Sequence, residues 1–370
     1  MSATPVVSVV VPNWNGRPFL VRCLAALRRQ TLPPADVVIV DGGSSDGSLE
    51  SVRADFPDVR LVALDRNVGF AAAANAGAQA AAGEHVAFLN NDAEPEPAWL
   101  EELVACLERH PKAASVACRC LQLEDARRLD GAGDSMTWSL KAYRRGAGEP
   151  DGPRYAVEEE VFSASGTACL WRASVFAELG GFDEDFFAYY EDIDLGFRAR
   201  LAGHECWYAP RAVVRHVGAA SASADSARFH TSLSVRNRWA TVVKNAPARW
   251  LAQHAPVIVV GEALWLGRSL LRGDLGAHLQ AYATLVHELR FWRAKRRAVQ
   301  AFGEGWGVGL ERLRAPRLPP RSAIRTRALT RGGIQDARER IEHHRSRARS
   351  AVPVDESRAA GRTKPMWRAQ

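Results

Sequence analysis

Residues 85–97 read HVAFLNNDAEPEP, and this stretch decides the fold. The run 86–89 is short and continuously apolar, which is typical of a strand buried on both faces of a parallel sheet. Asn90, Asn91 and Asp92 follow it directly, so polar side chains lie at the carboxyl end of the strand. In open α/β sheets this edge is where ligands bind. The stretch therefore predicts a binding site with one carboxylate and two amides.

The same arrangement recurs along the first third of the chain. Apolar, β-branched runs predict strands at residues 6–11, 36–41, 59–64, 85–90 and 113–121. Helical patterns of about a dozen residues separate them, and this alternation predicts βαβ units, a mostly parallel sheet and the α/β class. We expect residues 122–162 to be a loop region with limited structure. A strand, a helix from about 174, a helix over 191–202 and two short strands then follow.

Composition restricts the class of protein. The chain has 370 residues, 47% hydrophobic and 25% charged, as in an ordinary globular protein. Its six cysteines are scattered and include a single CxC at 118–120, which disfavours a zinc site and favours a reducing compartment. The N-terminus carries no signal-like segment, so a cytoplasmic location is expected. The net charge of +7 is concentrated in an Arg-rich last third, which indicates a solvated tail or a surface that binds anions.

The chain changes character after about residue 230, where it becomes helical and strongly apolar. Its longest charge-free stretch is shorter than the roughly 20 residues needed to cross a bilayer. Trp250, Trp265 and Trp292 with nearby arginines favour helices lying on an anionic membrane surface, and a dimer interface or a cap on the first domain is the alternative. We therefore expect a catalytic domain over 1–245, an amphipathic helical extension over 246–318, and a basic, partly disordered tail over 319–370.

Further polar clusters follow other predicted strands. Asp41 ends the second strand, where a carboxylate can accept hydrogen bonds from a ribose or a base. Gly69 precedes an Ala-rich helix whose N-terminus favours a diphosphate, and Asn75 lies one turn into that helix. Asp192 belongs to a carboxylate cluster that opens a helix behind four aromatic residues, and helix capping is the plainer interpretation. His216 ends a β-branched run, where a packed histidine is commoner than a metal ligand.

The clusters, in their order and spacing, resemble the family 2 glycosyltransferases of the GT-A fold, in particular the bacterial rhamnosyltransferase-like branch. The resemblance covers residues 6–245 and depends on VSVVVPNWNG, VVIVDGGSSDGS, RNVGFAAAANAG, FLNNDAEP and YYEDIDLGFRARLAG. It implies a nucleotide-diphosphate sugar donor, Mg²⁺ or Mn²⁺, and an inverting single displacement onto a glycan or polyprenyl-linked acceptor. Such an enzyme would work in cell-wall or surface-polysaccharide assembly on the inner face of the cell membrane.

The resemblance also implies roles for individual residues. Those expected to line the nucleotide-sugar site are Pro12, Asn13, Asn15, Asp41, Gly69, Asn75, Asn90 and Asn91. Asp92 and His216 would be metal ligands, and Asp192 would be the general base. Those expected to border the acceptor site are Gly166, Thr167 and Glu191.

Two other functions stay open on the sequence. A nucleotidyltransferase also uses a parallel sheet and a metal-bound nucleotide, but it needs a Gly-rich basic loop that residues 11–19 do not offer. A catalytically degenerate binding protein would explain why position 90 is Asn rather than Asp. A nucleic-acid binder would explain the basic tail but not the strand-end carboxylates, so no nucleic-acid partner is expected, and a homodimer stays possible.

Overall fold

The computed structural model describes residues 7–217 and 224–300. Its strands are β1 Val7–Asn13, β2 Asp36–Asp41, β3 Arg60–Ala63, β4 His85–Leu89, β5 Ala93–Pro95, β6 Ala113–Gln122, β7 Leu129–Ala132, β8 Asp134–Met136, β9 Ala142–Arg144, β10 Glu159–Glu160, β11 Ala168–Arg172 and β12 Glu205–His216. Its α-helices are α1 Arg17–Leu27, α2 Ser48–Asp55, α3 Phe70–Ala80, α4 Trp99–Arg109, α5 Ala173–Glu178, α6 Glu191–Leu201, α7 Ala224–Asn245, α8 Ala248–Arg272 and α9 Leu275–Gln300.

The central sheet runs in the order β10-β12-β6-β11-β4-β1-β2-β3. Strands β4, β1, β2 and β3 are mutually parallel, which confirms the βαβ alternation expected from the sequence. Strand β11 is antiparallel to both of its neighbours, β4 and β6. The carboxyl ends of β1, β2 and β4 therefore meet at one edge, and the polar residues that follow them converge there.

Helices cover both faces of this sheet, which explains why its central strands are apolar throughout. On one face, Leu20 of α1 and Trp99 of α4 pack in one hydrophobic cluster with Val9. On the other face, α3 lies very close to the sheet, since a Cβ placed on Gly77 would lie 2.2 Å from a methyl carbon of Val10. Small residues in RNVGFAAAANAG thus serve close packing, and they bring the start of α3 to the edge of the sheet.

One sequence expectation is confirmed and another is corrected. Residues 122–162 are mostly loop, as expected, and their limited regular structure includes the four short strands β7 to β10. Strand β7 pairs with β6, and β8 pairs with β9. Residues 205–216 form one long strand rather than two short ones. Strand β12 stays paired with β6 across a register shift between Ala209 and Val213, and this irregularity produces the break in its apolar pattern.

The expected C-terminal helices are present as α7, α8 and α9, as far as residue 300. Helix α7 contacts α6 and packs along α9, so these helices are joined to the sheet domain. Within the described part of the chain, no helix combines the length and apolarity that crossing a bilayer requires. Residues 301–318 of the expected extension and the tail over 319–370 lie outside the described residues.

All six cysteines are buried and free. They lie on α1, α4, β6, β11 and β12, where they pack as small apolar side chains. Burial raises the pKa of the Cys118 thiol to about 12, and burial likewise raises the pKa of Cys206 to about 12. These thiols therefore stay protonated near neutral pH.

Candidate functional site

The carboxyl edge of β1, β2 and β4 gathers several of the residues expected to bind nucleotide. Asn13 lies opposite Asp41 in the parallel register of β1 and β2. Its Nδ2 donates to Oδ2 of Asp41 over 2.7 Å, and its Oδ1 accepts a 2.7 Å hydrogen bond from Nδ2 of Asn91. Gly16 permits this last contact, because a Cβ there would lie 2.1 Å from Nδ2 of Asn91.

Asp41 organises the loops of this edge. Only 1% of the residue is exposed, and Ser44 donates to its carboxylate through both the backbone N–H (2.8 Å) and the hydroxyl (2.7 Å). The Ser44 hydroxyl also accepts from the backbone N–H of Asn15 over 2.8 Å. Asn15, whose φ is 49°, accepts from the N–H of Ser45. Asp41 and Asn15 thus join the loops after β1 and β2 into one polar network.

Asp92 and His216 lie together, although they are far apart in the sequence. Strand β5 pairs with the end of β12 so that His216 faces Ala93, the residue after Asp92. Nε2 of His216 lies 3.1 Å from Oδ1 of Asp92. Its other ring nitrogen, Nδ1, lies 2.9 Å from Oδ2 of Asp130 on β7. The imidazole is 1% exposed, so two carboxylates fix its orientation, and the Asp92 carboxylate remains partly open to solvent.

Arg144 connects this pair to the other side of the site. Its guanidinium forms an ion pair with Asp130 and donates from Nη2 to the hydroxyls of Ser165 (2.8 Å) and Thr167 (2.6 Å). Burial alone would lower the pKa of Arg144, but the nearby carboxylates of Asp130 and Asp134 raise it above its usual value. A permanent positive charge therefore lies between Asp130 and the residues expected to border the acceptor.

Asp192 lies at the start of α6 beside the loop before β11. The backbone N–H of Gly166 donates to its Oδ2 over 3.1 Å, and the N–H of Ile193 donates to its Oδ1 over 2.8 Å. Asp192 is half-buried, whereas its neighbour Glu191 is buried. The predicted base and the predicted acceptor residues Gly166 and Thr167 are therefore close together in space.

Strand pairing links the two halves of the site. The N–H of Asn90 donates to the backbone carbonyl of Thr167 over 2.8 Å, just beyond the antiparallel pairing of β4 with β11. Asn90 thus lies between the loop that carries Asp92 and the loop that contacts Asp192. Pro12, half-buried on β1, stands opposite Val40 in the sheet register.

The structure uses Gly69 and Asn75 in a different way from the one expected. Gly69 has φ of 83°, and a Cβ there would lie 2.5 Å from the carbonyl oxygen of Phe187. The Asn75 carboxamide exchanges hydrogen bonds with the backbone of Phe182, through Nδ2 to the carbonyl and Oδ1 to the N–H. Both residues therefore anchor the 182–187 segment against α3, and their contact with a donor stays a prediction.

The sequence interpretation missed Asp130, Arg144 and Ser44. Asp130 and Arg144 belong to strands of three or four residues within 122–162, where no periodicity separates a strand from a loop. Asp130 stands before GAG, and this clustering of Gly beside an acidic residue was the available signal. Ser44 lies inside the quoted VVIVDGGSSDGS stretch, but only the pairing of β1 with β2 brings it to Asn13 and Asn15.

A mostly parallel sheet with polar residues at the carboxyl edge of its parallel strands is the arrangement at which α/β enzymes bind their ligands. Residues 8–177 match the family described as Glycosyl transferase family 2. An N-acetylglucosaminyl-diphospho-decaprenol L-rhamnosyltransferase of Mycobacterium tuberculosis is 32% identical over 252 residues, which cover 60% of this chain and 80% of that protein. The chain belongs to glycosyltransferase family 2, and it is a transferase.

A second relative and one solved structure are also similar to this chain. The O-antigen biosynthesis protein RfbC of Myxococcus xanthus is 31% identical over 241 residues, which are 60% of this chain and 18% of that one. A crystal structure of GalNAc-T7 with UDP, GalNAc and Mn²⁺ superimposes with a TM-score of 0.53 at 18% identity, over 65% of this chain and 48% of that one. The structural similarity shows the fold alone, and it supports the GT-A architecture expected from the sequence.

Proposed function

We propose that the protein transfers one sugar, of the L-rhamnose type, from a nucleoside diphosphate to a glycan acceptor linked to a polyprenyl diphosphate, with inversion at the anomeric carbon. The observation that carries the proposal is the pairing of Asp92 with His216 at one end of the site while Asp192 lies at the other, beside Gly166. The name of the mycobacterial relative supports both the rhamnosyl group and the polyprenyl-linked acceptor. The reaction would belong to cell-wall or surface-polysaccharide assembly.

Asp92 and His216 would hold Mg²⁺ or Mn²⁺. The types of ligand atom fit such an ion, because a partly exposed carboxylate oxygen and an imidazole nitrogen suit Mn²⁺ especially. Asp130 contacts the other imidazole nitrogen and so orients the ring. When bound, the ion supplies positive charge that stabilises the departing nucleoside diphosphate. Asn13, Asn91 and Asp41 would bind the base and ribose from the edge of the sheet.

Asp192 would accept the proton of the attacking hydroxyl group. The N–H of Gly166 holds one carboxylate oxygen, so the carboxylate keeps a fixed orientation towards the acceptor side. Arg144 brings a cation to the same side through Thr167. A single base with no protein nucleophile predicts one displacement, and hence inversion.

Transfer by the full-length protein tests the proposal. dTDP-L-rhamnose, UDP-sugars and GDP-sugars would each be incubated with Mn²⁺ and a polyprenyl-diphosphate N-acetylglucosamine, and products identified by mass spectrometry and by the anomeric NMR coupling. We expect Asp192→Asn and Asp92→Ala each to lower transfer by at least about 100-fold. Asp58→Asn, a change at an exposed carboxylate that pairs with Arg28 far from the site, is the control.

Full transfer by both variants would remove the assigned roles of Asp92 and Asp192. Retention of configuration would exclude the single displacement. Binding of a nucleotide sugar without transfer or hydrolysis would favour the degenerate binding protein, and incorporation of a nucleoside triphosphate would favour a nucleotidyltransferase.

We also propose that α8 rests on an anionic membrane, which would place the protein on the inner face of the cell membrane. Val257, Val260, Leu264 and Leu271 recur at spacings of three, four and seven, so they share one face of α8. They are exposed, with Leu264 at 69% and Leu271 at 88%. Exposed Arg268 lies within the same helical face, and this combination of apolar and cationic side chains matches an anionic lipid surface.

Vesicle binding tests this surface. Full-length protein would be sedimented with vesicles of phosphatidylcholine alone and with vesicles that contain about 30% phosphatidylglycerol, which imitate an anionic membrane. We expect binding to the anionic vesicles only, and a loss of roughly ten-fold in the double variant Leu264→Glu/Leu271→Glu. Val157→Glu is the control, because Val157 is similarly exposed but lies outside α8. Unchanged vesicle binding with a shift from dimer to monomer in light scattering would instead identify a homodimer interface.

A further inference from the structure

The turn that precedes the predicted base has an unfavourable backbone. Phe187, Tyr189 and Tyr190 have φ angles of 64°, 67° and 70°. A left-handed backbone is unfavourable for a non-glycine residue, so such a turn persists only when its surroundings hold it. Tyr190 is also the residue immediately before α6, and no side chain caps that helix. The conformation of residues 187–190 therefore determines where α6 begins and where Asp192 lies.

Asn237 of α7 holds this turn through three backbone carbonyls. Its Nδ2 lies 3.0 Å from the carbonyl oxygen of Phe186, 2.9 Å from that of Ala188 and 2.8 Å from that of Tyr189. The residue is 0% exposed, so water does not compete for these acceptors. Loss of a buried donor of this kind leaves buried carbonyl groups without partners, which is unfavourable.

Arg236 fixes the direction of the Asn237 carboxamide. Its Nη1 donates to Oδ1 of Asn237 over 2.8 Å, so the oxygen is committed and Nδ2 must face the turn. The same nitrogen donates to the backbone carbonyl of Asp185. Nε of Arg236 donates to the buried carboxylate of Glu288 on α9 over 2.8 Å. A continuous set of buried contacts thus runs from α9 through α7 to the turn.

The turn also contacts the donor side of the site. The carbonyl oxygen of Phe187 accepts from the N–H of Ala71 over 3.3 Å and approaches Gly69 closely. The turn is therefore held between two helices. One is α3, at the predicted diphosphate side, and the other is α7. We propose that Asn237 is a positioning residue that sets the distance between Asp192 and Gly166 by holding the 186–189 backbone. This inference rests on the proposed role of Asp192 as the base.

Hydrogen exchange on the full-length protein tests the structural part of the inference independently of any substrate. We expect amides of residues 187–193 to exchange at least about ten-fold faster in Asn237→Ala and in Asn237→Asp than in the wild type. Thr241→Val is the matched control. It removes an equally buried polar group one turn further along α7, whose hydroxyl bonds to the carbonyl of Asn237 within the helix. Unchanged exchange over 187–193 in both Asn237 variants would overturn the inference.

Kinetics tests the catalytic part. With the donor that the wild type uses, we expect kcat for transfer to fall about 100-fold in Asn237→Ala, since a misplacement of about 1 Å has this effect. The Kd for UDP or dTDP with Mn²⁺ should stay within about two-fold, because Asn237 contacts the turn and not the nucleotide edge. A fall in kcat matched by an equal loss of nucleotide affinity would show that Asn237 only stabilises the fold in general, and it would overturn the proposal. Failure of the wild type to transfer any sugar would overturn the proposed function, and the exchange result would still decide whether Asn237 holds the turn.

Discussion

Nε2 of His216 lies 3.1 Å from Oδ1 of Asp92, across 124 positions of sequence. The contact follows from the pairing of β5 with β12, which places His216 opposite Ala93. Asp130 lies on the far side of the ring, so the histidine is held before any ligand arrives. One carboxylate and one imidazole are nevertheless a small ligand set for a divalent ion, and donor phosphate oxygens and water would complete it.

We therefore predict weak binding of Mn²⁺ by the protein alone and binding at least about ten-fold tighter with UDP or dTDP present. Isothermal titration calorimetry with and without nucleotide measures both affinities. His216→Ala should weaken binding in the presence of nucleotide, whereas His287→Ala, on the exposed face of α9, should not. Equal Mn²⁺ affinity with and without nucleotide would contradict this description of the site.

Gly69→Ala should destabilise the protein strongly. The residue has φ of 83°, and a Cβ would lie 2.5 Å from the backbone oxygen of Phe187. We expect the free energy of unfolding to fall by about 3 kcal/mol, from the left-handed backbone and the clash together. Gly180→Ala is the matched control, because its φ is 80° but no atom lies within 4 Å of its Cβ position. Urea unfolding compares the two, and equal losses would show that the contact with Phe187 relaxes freely.

Glu262 of α8 should make stability depend on acid pH. Burial alone would raise its pKa, but hydrogen bonds from His278, Tyr282 and Arg238 and the charge of Arg238 lower it to about 2. A lowered pKa in the folded state contributes stability above the unfolded value, near 4.5, and this contribution is lost as pH falls towards 2. We expect the wild type to lose about 2 kcal/mol more than Glu262→Gln over this range, as measured by urea unfolding. If the unfolding free energies of the wild type and of Glu262→Gln changed equally with pH, the ionised carboxylate of Glu262 would not be stabilising the protein.

Lys141 should make stability depend on alkaline pH, with the same sign as Glu262. Burial, followed by the charges of Arg238, Arg268 and Arg272, lowers its pKa to about 8. The unfolded chain then binds more protons than the folded one between pH 8 and about 10.5, so this group makes stability rise with pH. We expect Lys141→Met to raise the free energy of unfolding at pH 7 by about 1–2 kcal/mol and to abolish the rise. Lys141→Arg keeps the charge and should bring no gain, and an equal gain in both variants would refute the electrostatic explanation.

The sequence predicted the parallel half of the sheet because its signals are local. Residues 36–41 form a continuous β-branched run that ends in a carboxylate, so strand, burial and edge can be inferred together. Asp92 was singled out for the same reason, and its role stays a prediction. Its proximity to His216 could be predicted only from the resemblance to a family, because the pairing of the three-residue strand β5 leaves no periodic signal in the sequence.

The residues that the sequence did not reveal act through tertiary contacts. The sequence of α7 does not single out Asn237 among the polar residues of that helix. Only the packing of α7 against residues 186–189 brings three backbone carbonyl groups to its side chain. Arg144 depends on the packing of β9 beside Thr167. Arg236 and Arg238 of α7 are buried in ion pairs with Glu288 of α9 and Glu262 of α8, contacts that the local sequence does not show.

Because all six cysteines are buried, the protein has no accessible thiol on its surface. These buried, protonated thiols should not react with maleimide reagents under native conditions, so no native cysteine needs to be removed before labelling. A cysteine introduced at Leu271 would then be the single reactive position for an environment-sensitive fluorophore. Such a label would report directly, by its emission, when the tip of α8 leaves water for lipid.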